Sequence, residues 1–263
     1  MGTYLDEILD FHRHESRGDT RSLDALIEKA GEVKPPRGFN KALMSSPVNE
    51  MAVIAEIKKR SPSLGELVSD LIPSFVSQEY EKGGASALSV LTNNQYFGGS
   101  SMDLREARAA CSLPILRKDF TVDLRDVCDT RIMEADAVLL IAAALDDHEL
   151  KDFIALANEL EIDALVEVHD EDEVERALVV GAQIIGVNQR DLQTFEVDTD
   201  RAVRIGKLLP SGVTKVAESG INSPEDIPKL HAASYRAVLV GEYLVQSENR
   251  AERVTGLRTA ADR

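Results

Sequence analysis

From Met51 onward, short apolar runs alternate with stretches in which apolar residues recur every three or four positions. The short runs predict buried strands, and the longer period predicts amphipathic helices. One strand and one helix recur about every 20 to 30 residues, which indicates an α/β fold built from βα units. The predicted strands are 52–57, 87–92, 114–118, 136–141, 163–168, 183–188, 213–218 and 237–241. Helices are predicted near 72–82, 101–110, 124–133, 147–160, 171–180, 200–208, 224–233 and 249–260.

Eight such units can form either an open, doubly wound sheet or a closed barrel. The glycine-rich G-x-G-x-x-G turn that follows the first strand of many doubly wound domains is absent here. Units of similar length over about 210 residues fit the barrel better. The sequence therefore predicts a (β/α)8 TIM barrel with additional N-terminal helices.

The first part of the chain follows a different pattern. Helical spacing of apolar residues begins around 4–11 and again around 23–27, and the Pro-Pro-Arg-Gly segment 35–38 interrupts regular structure. We predict a helical extension over 1–48 and a catalytic barrel over 49–263, within one structural domain. An independent N-terminal module is the alternative, but about 45 residues bury too little surface for a comfortable core.

Several predicted strands end in a charged or amide side chain. A strand buried on both faces ordinarily carries apolar residues throughout, and burying an unpaired charge is costly. In a barrel of parallel strands, the carboxyl ends of the strands form the catalytic face. We therefore predict that the polar residues at these ends are catalytic: Glu56, Lys58, Lys118, Glu167 and Asn188.

Lys118 is the strongest single candidate. It lies between Arg117 and Asp119 in the motif PILRKDF, and one of these three side chains must face the barrel interior. A lysine among other cations in a dry pocket has its pKa lowered, so it becomes a proton donor near neutral pH or a Schiff-base nucleophile. A solvated loop charge is the alternative interpretation.

The other polar candidates also have two interpretations. Alternation places Glu56 and Lys58 on one face of their strand, as a functional pair or as a structural ion pair, which is costly to bury. An inward Glu167 suits a general base or cation stabiliser, or it pairs with a lysine. The amide of Asn188 can hold a carboxylate or hydroxyl, and the planar fork of Arg190 suits carboxylate or phosphate.

Glycines and hydroxyl groups follow the last two predicted strands. Residues 218–221 (Glu-Ser-Gly-Ile) and 240–242 (Val-Gly-Glu) put glycine where a backbone N–H can approach an anion closely. Residues 61–63 (Ser-Pro-Ser) add hydroxyls after the first strand. Glycine at a strand end is often only a turn, but barrels commonly bind phosphate after the seventh and eighth strands. Together the fragments predict a phosphate site there.

Composition narrows the possible partners. The net charge of −16 disfavours nucleic acid, whose phosphates bind clustered Lys and Arg, but allows a small anionic ligand in a focused basic cleft. No apolar run reaches about 18 residues, which predicts no membrane span. The N-terminus lacks the pattern of a secretory signal, which predicts a cytoplasmic protein. Cys111 and Cys128 are expected to be free thiols, and the histidines show no metal-ligand spacing.

These motifs, taken in order, resemble the strand motifs of the indole-3-glycerol phosphate synthase family. The resemblance runs from about residue 3 to residue 258 and rests on AEIKKRSPS, LTNNQYFGGS, PILRKDF, ADAVLLI, LVEVHDEDE, IIGVNQRDL, AESGI and AVLVGE. It implies a (β/α)8 barrel with extra N-terminal helices over its mouth. It also implies a carboxy-lyase of tryptophan biosynthesis that converts 1-(2-carboxyphenylamino)-1-deoxyribulose 5-phosphate to indole-3-glycerol phosphate, releasing carbon dioxide and water. No cofactor is required, and the partner is a small phosphorylated substrate.

The resemblance implies a role for each candidate. Lys118 corresponds to the general acid that protonates the substrate carbonyl, and Glu167 to the base of the later dehydration. Lys58 and Glu56 correspond to a pair that positions substrate and assists proton transfer, and Asn188 to a polar contact. The other positions correspond to substrate- and phosphate-binding residues, with the two phenylalanines beside the anthranilate ring: Ser61, Phe97, Phe120, Arg190, Glu218, Ser219, Gly220, Gly241 and Glu242.

Three positions depart from the family pattern. Glu134 replaces a frequent Gly at a predicted helix end, where Gly tolerates positive φ, and Gln189 is expected to face away from the site. Leu64 replaces a common Lys, which affects turnover or affinity and not the reaction. Two other functions are considered: a Schiff-base aldolase that uses Lys118, and a phosphate-ligand sensor without turnover. Association with other tryptophan-pathway enzymes stays open.

Overall fold

The computed structural model describes residues 3–61, 65–191 and 194–261, so Ser63 and Leu64 lie outside the described residues. Within these ranges, eight parallel strands form one closed barrel in which β1 pairs with both β2 and β8. The predicted (β/α)8 barrel is confirmed. The strands are β1 (Ala52–Ile57), β2 (Ala87–Leu91), β3 (Ile115–Lys118), β4 (Ala137–Ile141), β5 (Asp163–Val168), β6 (Ile184–Asn188), β7 (Thr214–Glu218) and β8 (Ala237–Val240).

Helices alternate with the strands and cover the outside of the barrel. The helix predicted near 224–233 is divided into a 3-10 turn (Pro224–Asp226) and a short α-helix. Three helices of four to six residues are new, because so few residues cannot show a helical period. Across the described ranges, no helix has the length and apolar character needed to span a membrane. The helices are α1 (Tyr4–Gly18), α2 (Leu23–Gly31), α3 (Phe39–Met44), α4 (Pro73–Lys82), α5 (Asn94–Phe97), α6 (Ser101–Ala110), α7 (Leu124–Ile132), α8 (Asp147–Glu159), α9 (Glu171–Val179), α10 (Arg201–Ile205), α11 (Ile227–Ala232), α12 (Glu242–Val245) and α13 (Arg250–Arg258).

The barrel strands are buried along almost their whole length, which explains their continuous apolar sequences. All six residues of β1 and all five of β2 are buried. Helices cover the outer face of the sheet and side chains fill the interior, so neither face needs polar residues. The buried carboxyl groups at strand ends, Glu56, Glu167 and Glu218, therefore require partners inside the protein.

Local interactions set the ends of the helices around the barrel. Asp146 caps α8 and forms a capping box with Glu149, which satisfies backbone N–H groups of the first turn. Glu134, just after α7, has φ of 64°, the positive φ that the sequence suggested for this helix end. A glycine would adopt this conformation without steric cost. The departure at Glu134 thus affects a surface turn at the amino end of the barrel, away from the strand ends that carry the predicted site.

The first helix lies across the carboxyl end of the barrel. Tyr4, Leu5 and Ile8 line the cavity there. Further along the helix, Arg13 donates two hydrogen bonds, of 2.8 and 3.0 Å, to the carboxylate of Glu149 in α8. A bidentate pair of this kind fixes orientation as well as distance. The apolar face of α1 is therefore held over the barrel mouth.

The rest of the N-terminal segment runs along the side of the barrel to its amino end. Helix α2 packs on α7. The backbone N–H groups of Arg37 and Asn40 then donate to the buried carboxylate of Asp136 and to Asp163, at the starts of β4 and β5. Contacts at this face of a barrel serve stability rather than catalysis. The segment thus connects both ends of the barrel.

Replacing Arg13 by alanine is expected to loosen α1 with little effect on the barrel. Its side chain and that of Glu149 are 33% and 27% exposed. Loss of so exposed a pair should lower the free energy of unfolding by only about 1 kcal/mol. Amide hydrogen exchange is expected to rise in α1 and not in the strands. Arg17→Ala, an exposed site on the same helix, is the matched control. Equal exchange in the two variants would show that Arg13 does not hold α1.

Candidate active site

A cavity of about 360 Å³ opens at the carboxyl ends of the strands, beneath α1. Every residue predicted to be catalytic or substrate-binding lines it, although these residues are scattered over most of the chain. Enclosure of polar groups at this end of a barrel is the usual geometry of an active site. The lining residues from the prediction are Glu56, Lys58, Ser61, Phe97, Lys118, Phe120, Glu167, Asn188, Arg190, Glu218, Ser219, Gly220, Gly241 and Glu242.

Lys118 and Glu167 form the central ion pair of this cavity. Lys118 Nζ lies 3.2 Å from Glu167 Oε2, and the Asn188 amide donates to Oε1 at 3.1 Å. Glu167 is only 1% exposed, so neighbouring protein groups must balance its charge. The three side chains come from β3, β5 and β6, and the arrangement therefore exists only in the closed barrel.

The prediction that the Lys118 pKa is lowered is wrong. Burial does lower this pKa, but the carboxyl groups of Glu167, Glu218 and Glu56 raise it by more, and the net pKa lies above that of an ordinary lysine. Arg117, the adjacent cation in sequence, does not line the cavity. Lys118 is therefore an ammonium ion at neutral pH, which makes it an available acid and a poor Schiff-base nucleophile.

Glu167 and Glu218 are two buried carboxyl groups whose pKa values are driven apart. Burial and the charge of Glu167 raise the pKa of Glu218 well above the usual range. Burial alone would also raise the pKa of Glu167, but Lys118, His169 and Asn188 lower it below the usual range. The two neighbouring carboxyl groups therefore differ in acidity, and Glu167 is the stronger acid. Such a pair is typical of sites that transfer protons.

Two glycines leave room for these carboxyl groups. Gly186 lies in the middle of β6, where a Cβ atom would overlap Glu218 Oε1. Gly241 follows β8, where a Cβ atom would lie 2.5 Å from Glu56 Oε1. Glycine inside or next to a strand often marks such a close approach. Substituting either residue would displace a buried carboxyl group.

Glu56 and Lys58 form a second ion pair, 2.9 Å long, as their common orientation predicts. Lys58 Nζ also lies 3.8 Å from Glu242 Oε1. Arg190 Nη2 lies 3.8 Å from the same oxygen, and the Phe195 carbonyl accepts a hydrogen bond from Arg190 at 3.1 Å. The carboxylate at the start of α12 thus bridges two cations in the region predicted to bind phosphate.

The backbone after β7 has an unusual conformation beside this region. Ser219 and Gly220 both have positive φ, 65° and 69°, which costs energy for the serine and not for the glycine. The side-chain amide of Gln189 donates to the Ser219 carbonyl at 2.7 Å and stabilises the turn. Gln189 does not line the cavity, as expected. Strained turns of this kind concentrate at ligand sites.

Aromatic side chains also line the cavity. The ring centroids of Phe97 and Phe120 lie 6.3 Å apart. Tyr4 of α1 packs edge-on against Phe195, with centroids 5.3 Å apart. The cavity therefore combines aromatic side chains with charged ones. This combination suits a ligand that carries both an aromatic ring and an anionic group.

Sequence reasoning missed residues whose contribution depends on tertiary contacts. The helical spacing of Tyr4, Leu5 and Ile8 does not reveal what they cover. His169 lies one residue after β5 and places Nε2 3.4 Å from Glu167 Oε1; the only sequence signal is the Glu-Val-His spacing, which puts both side chains on one side. Among the described residues, no three or more His, Cys, Asp or Glu side chains are arranged to hold a metal ion.

Comparisons with known proteins identify the family. A family model described as indole-3-glycerol phosphate synthase matches residues 5–257. An indole-3-glycerol phosphate synthase of Paenarthrobacter aurescens (strain TC1) is 45% identical over 262 residues, covering 98% of this chain and 96% of that protein. One of Polaromonas naphthalenivorans (strain CJ2) is 44% identical, covering 94% of this chain and 95% of that protein.

A solved structure, thiamine phosphate pyrophosphorylase from Pyrococcus furiosus, matches over 81% of this chain and 96% of its own chain, with a TM-score of 0.61. It is only 14% identical and shows the fold alone. The resemblance noted from the strand motifs is confirmed: the chain belongs to the indole-3-glycerol phosphate synthase family.

Proposed function

We propose that this cavity converts 1-(2-carboxyphenylamino)-1-deoxyribulose 5-phosphate to indole-3-glycerol phosphate by general acid/base catalysis. The family is one of carboxy-lyases in tryptophan biosynthesis. The observation that carries the acid/base mechanism is the convergence of two lysine–glutamate pairs, Lys118–Glu167 and Glu56–Lys58, in one enclosed cavity. Proton donors and acceptors held at such distances typically accelerate reactions by about 10²- to 10⁴-fold.

The residues that line the cavity suggest how the substrate lies. Its aromatic ring is proposed to lie beside Phe97 and Phe120, and its phosphate beside Arg190 and the turn at Ser219 and Gly220. Arginine offers a fork of N–H donors to phosphate oxygens. The ketone of the ribulose is then expected to lie near Lys118 and Lys58, which line the same cavity.

Ring closure joins the aromatic carbon that carries the carboxylate to the ketone carbon. The electron pair of the carbonyl bond moves to its oxygen, and Lys118 donates the proton that turns this oxygen into a hydroxyl group. Loss of carbon dioxide returns an electron pair to the ring and restores its aromaticity. Lys58, held by Glu56, positions the substrate and assists the proton transfer, and Asn188 adds a polar contact. The raised pKa of Lys118 keeps the donor protonated before each turnover.

Dehydration completes the indole ring. The hydroxyl group takes a proton from the Lys58 ammonium and leaves as water, while the neighbouring carbon loses a proton to Glu167. Glu167 is paired with Lys118 and Asn188 in this structure, so the substrate carbonyl must first draw Lys118 away. This exchange frees one carboxylate oxygen at the stage when a base is required. The Lys118–Glu167 ion pair thus explains why ring closure precedes dehydration.

We also propose that the chain acts in the cytoplasm. Cys111 and Cys128 are both buried and free. Free thiols are usual in proteins of a reducing compartment, where disulfides are rare. Fractionation of cells that express the chain would test this location.

A turnover assay tests the proposed activity. Purified protein given the ribulose phosphate substrate is expected to develop indole fluorescence and to release one carbon dioxide per product. Well-folded protein that gives neither signal would overturn the proposal. Borohydride treatment in the presence of substrate is expected to leave the mass of the protein unchanged. A trapped lysine adduct would instead favour an aldolase.

Removing the charge of Glu242 is expected to tighten phosphate binding. Its carboxylate lies 3.8 Å from both Lys58 and Arg190, the two cations that an incoming phosphate would also approach. One unit charge at about 4 Å in water contributes about 1 kcal/mol, so Glu242→Gln should strengthen competitive inhibition by inorganic phosphate about fivefold. Glu248→Gln, at an exposed position nearby, is the control. Weaker inhibition in the Glu242 variant would mean that this carboxylate supports the ligand rather than competing with it.

A further inference from the structure

We propose that His169 is a positioning residue for Glu167: its ring, anchored by Glu173, holds a permanent positive charge against the Glu167 carboxylate. This inference rests on the proposed function, in which Glu167 is the base of the dehydration. His169 does not line the cavity, so it acts through Glu167 and does not touch the substrate.

The ring lies between two carboxylates. His169 Nδ1 is 3.1 Å from Glu173 Oε2, and Nε2 is 3.4 Å from Glu167 Oε1. The backbone N–H of His169 donates to the same Glu173 oxygen at 2.7 Å. Glu173 itself lies in the first turn of α9, where its N–H donates to Asp170. The ring is therefore fixed from a helix start, with 13% of the side chain exposed.

This geometry favours a doubly protonated ring. A neutral imidazole has one donor nitrogen and one acceptor nitrogen, so it would present a lone pair to one of the two carboxylates. An imidazolium donates from Nδ1 to Glu173 and places its charge 3.4 Å from Glu167 Oε1, as an ion pair without a hydrogen bond. Burial lowers the pKa of His169, but the contacts with Glu167 and Glu173 raise it by more, to about 10. His169 is therefore charged throughout the neutral pH range.

His169 differs from Lys118 in what happens during turnover. Glu167 is surrounded by Lys118 from β3, Asn188 from β6 and Glu218 from β7, besides His169. When the substrate carbonyl takes up Lys118, that ammonium is no longer available to Glu167. His169 stays in place because its second contact is to Glu173, outside the cavity. Its charge then keeps Glu167 ionised at the stage when a base is needed.

The sign of the pH effect follows from this charge. His169 and Lys118 lower the pKa of Glu167, so removing the imidazolium must raise it. The base form of Glu167 is then lost at a higher pH as the solution is acidified. The acid limb of the pH–rate profile should move upward, and the basic limb should not move with it.

The experiment compares His169→Gln with the wild-type enzyme. The pH dependence of kcat, which reports the enzyme–substrate complex in which the substrate has drawn Lys118 away from Glu167, is measured from pH 4 to 9. The acid limb of the variant is expected to lie about one pH unit higher than that of the wild-type enzyme. At pH values on this limb, kcat should be about tenfold lower than in the wild-type enzyme, and KM should change little. Glu173→Gln should shift the same limb in the same direction by less, since the ring keeps its contact with Glu167. His148→Gln, an exposed histidine of α8, is the matched control and should leave the profile unchanged.

A second measurement does not depend on turnover. Carbon-13 NMR of the Glu167 carboxyl, assigned by its disappearance in Glu167→Gln, follows the titration of this group without added substrate. His169→Gln is expected to raise the pH at which the signal titrates. An unchanged titration, or an equal loss of kcat at every pH, would overturn the proposal and leave His169 a structural residue. If His169→Gln does not fold, Glu173→Gln carries the same test. Failure of the proposed function would appear separately, as absence of turnover in the wild-type enzyme.

Discussion

Formation of indole-3-glycerol phosphate is expected to fall about a thousandfold when Lys118 is replaced by alanine, within the range of about 10²–10⁴ typical for loss of a positioned acid. The ketone oxygen would then gain its negative charge without a proton donor at the centre of the cavity. Lys58, paired with Glu56 at 2.9 Å, is held on another strand end and is not expected to replace it. The loss should appear in kcat, measured by indole fluorescence under saturating substrate.

Two further substitutions test whether Lys118 is needed as a proton donor or only as a positive charge. Lys118→Met keeps the length of the side chain without a proton, and Lys118→Arg keeps the charge on a group that releases protons poorly. Both variants should be as inactive as Lys118→Ala. Lys59→Ala should keep normal activity, because Lys59 pairs with Asp103 and does not line the cavity. Unaltered thermal unfolding would show that the fold is intact. Near-normal turnover of Lys118→Met would show that Lys118 is not the acid.

The strands of this barrel are readable from sequence because both of their faces are buried. Each predicted strand agrees with the structure to within about one residue at either end, a better result than is usual for element boundaries. The polar strand ends are equally readable, because a charge in a buried strand is costly unless a partner or a ligand compensates for it. The position of the site therefore follows from local sequence alone.

The electrostatics of the site do not follow from local sequence. Lys118 and Glu167 are 49 positions apart, and their contact arises from the closure of the barrel. The expectation of a lowered Lys118 pKa counted neighbours along the chain, such as Arg117, which faces away from the cavity. The groups that decide the direction are carboxyls from three other strands. Sequence reasoning thus placed Lys118 in the cavity but gave the shift of its pKa the wrong direction.

His169 and the helix α1 illustrate the same limit. His169 has no metal-ligand spacing, and its importance arises from Glu173 on the following helix. Tyr4, Leu5 and Ile8 show a helical period that any amphipathic helix would show. Which surface that helix covers depends on the Arg13–Glu149 pair, which joins residues 136 positions apart. Short helices such as α5 and α12 escape detection because they hold fewer than two turns.

The second large effect concerns Glu167. Glu167→Gln is expected to lower the rate of indole formation about a hundredfold, because an amide cannot accept the proton that dehydration releases. In the proposed mechanism, ring closure and loss of carbon dioxide depend on Lys118 and not on Glu167, so they should continue for at least one turnover. Rapid mixing with substrate labelled in its carboxyl group should therefore show release of carbon dioxide while indole fluorescence stays low.

Glu167→Gln also removes a negative charge beside Lys118, which allows a second test. Glu167 is the largest carboxylate contribution that raises the pKa of Lys118, so its loss should lower that pKa and move the basic limb of the pH–rate profile for carbon dioxide release to lower pH. Glu56→Gln, which changes a carboxyl group of the same cavity, is the matched control and should slow carbon dioxide release and indole formation together. Equal suppression of both signals in Glu167→Gln would place Glu167 before decarboxylation and contradict its role as the base of the dehydration. If the Lys118–Glu167 ion pair serves two successive steps, carbon dioxide release should precede indole fluorescence in the Glu167 variant. The Glu56 variant should show no such delay.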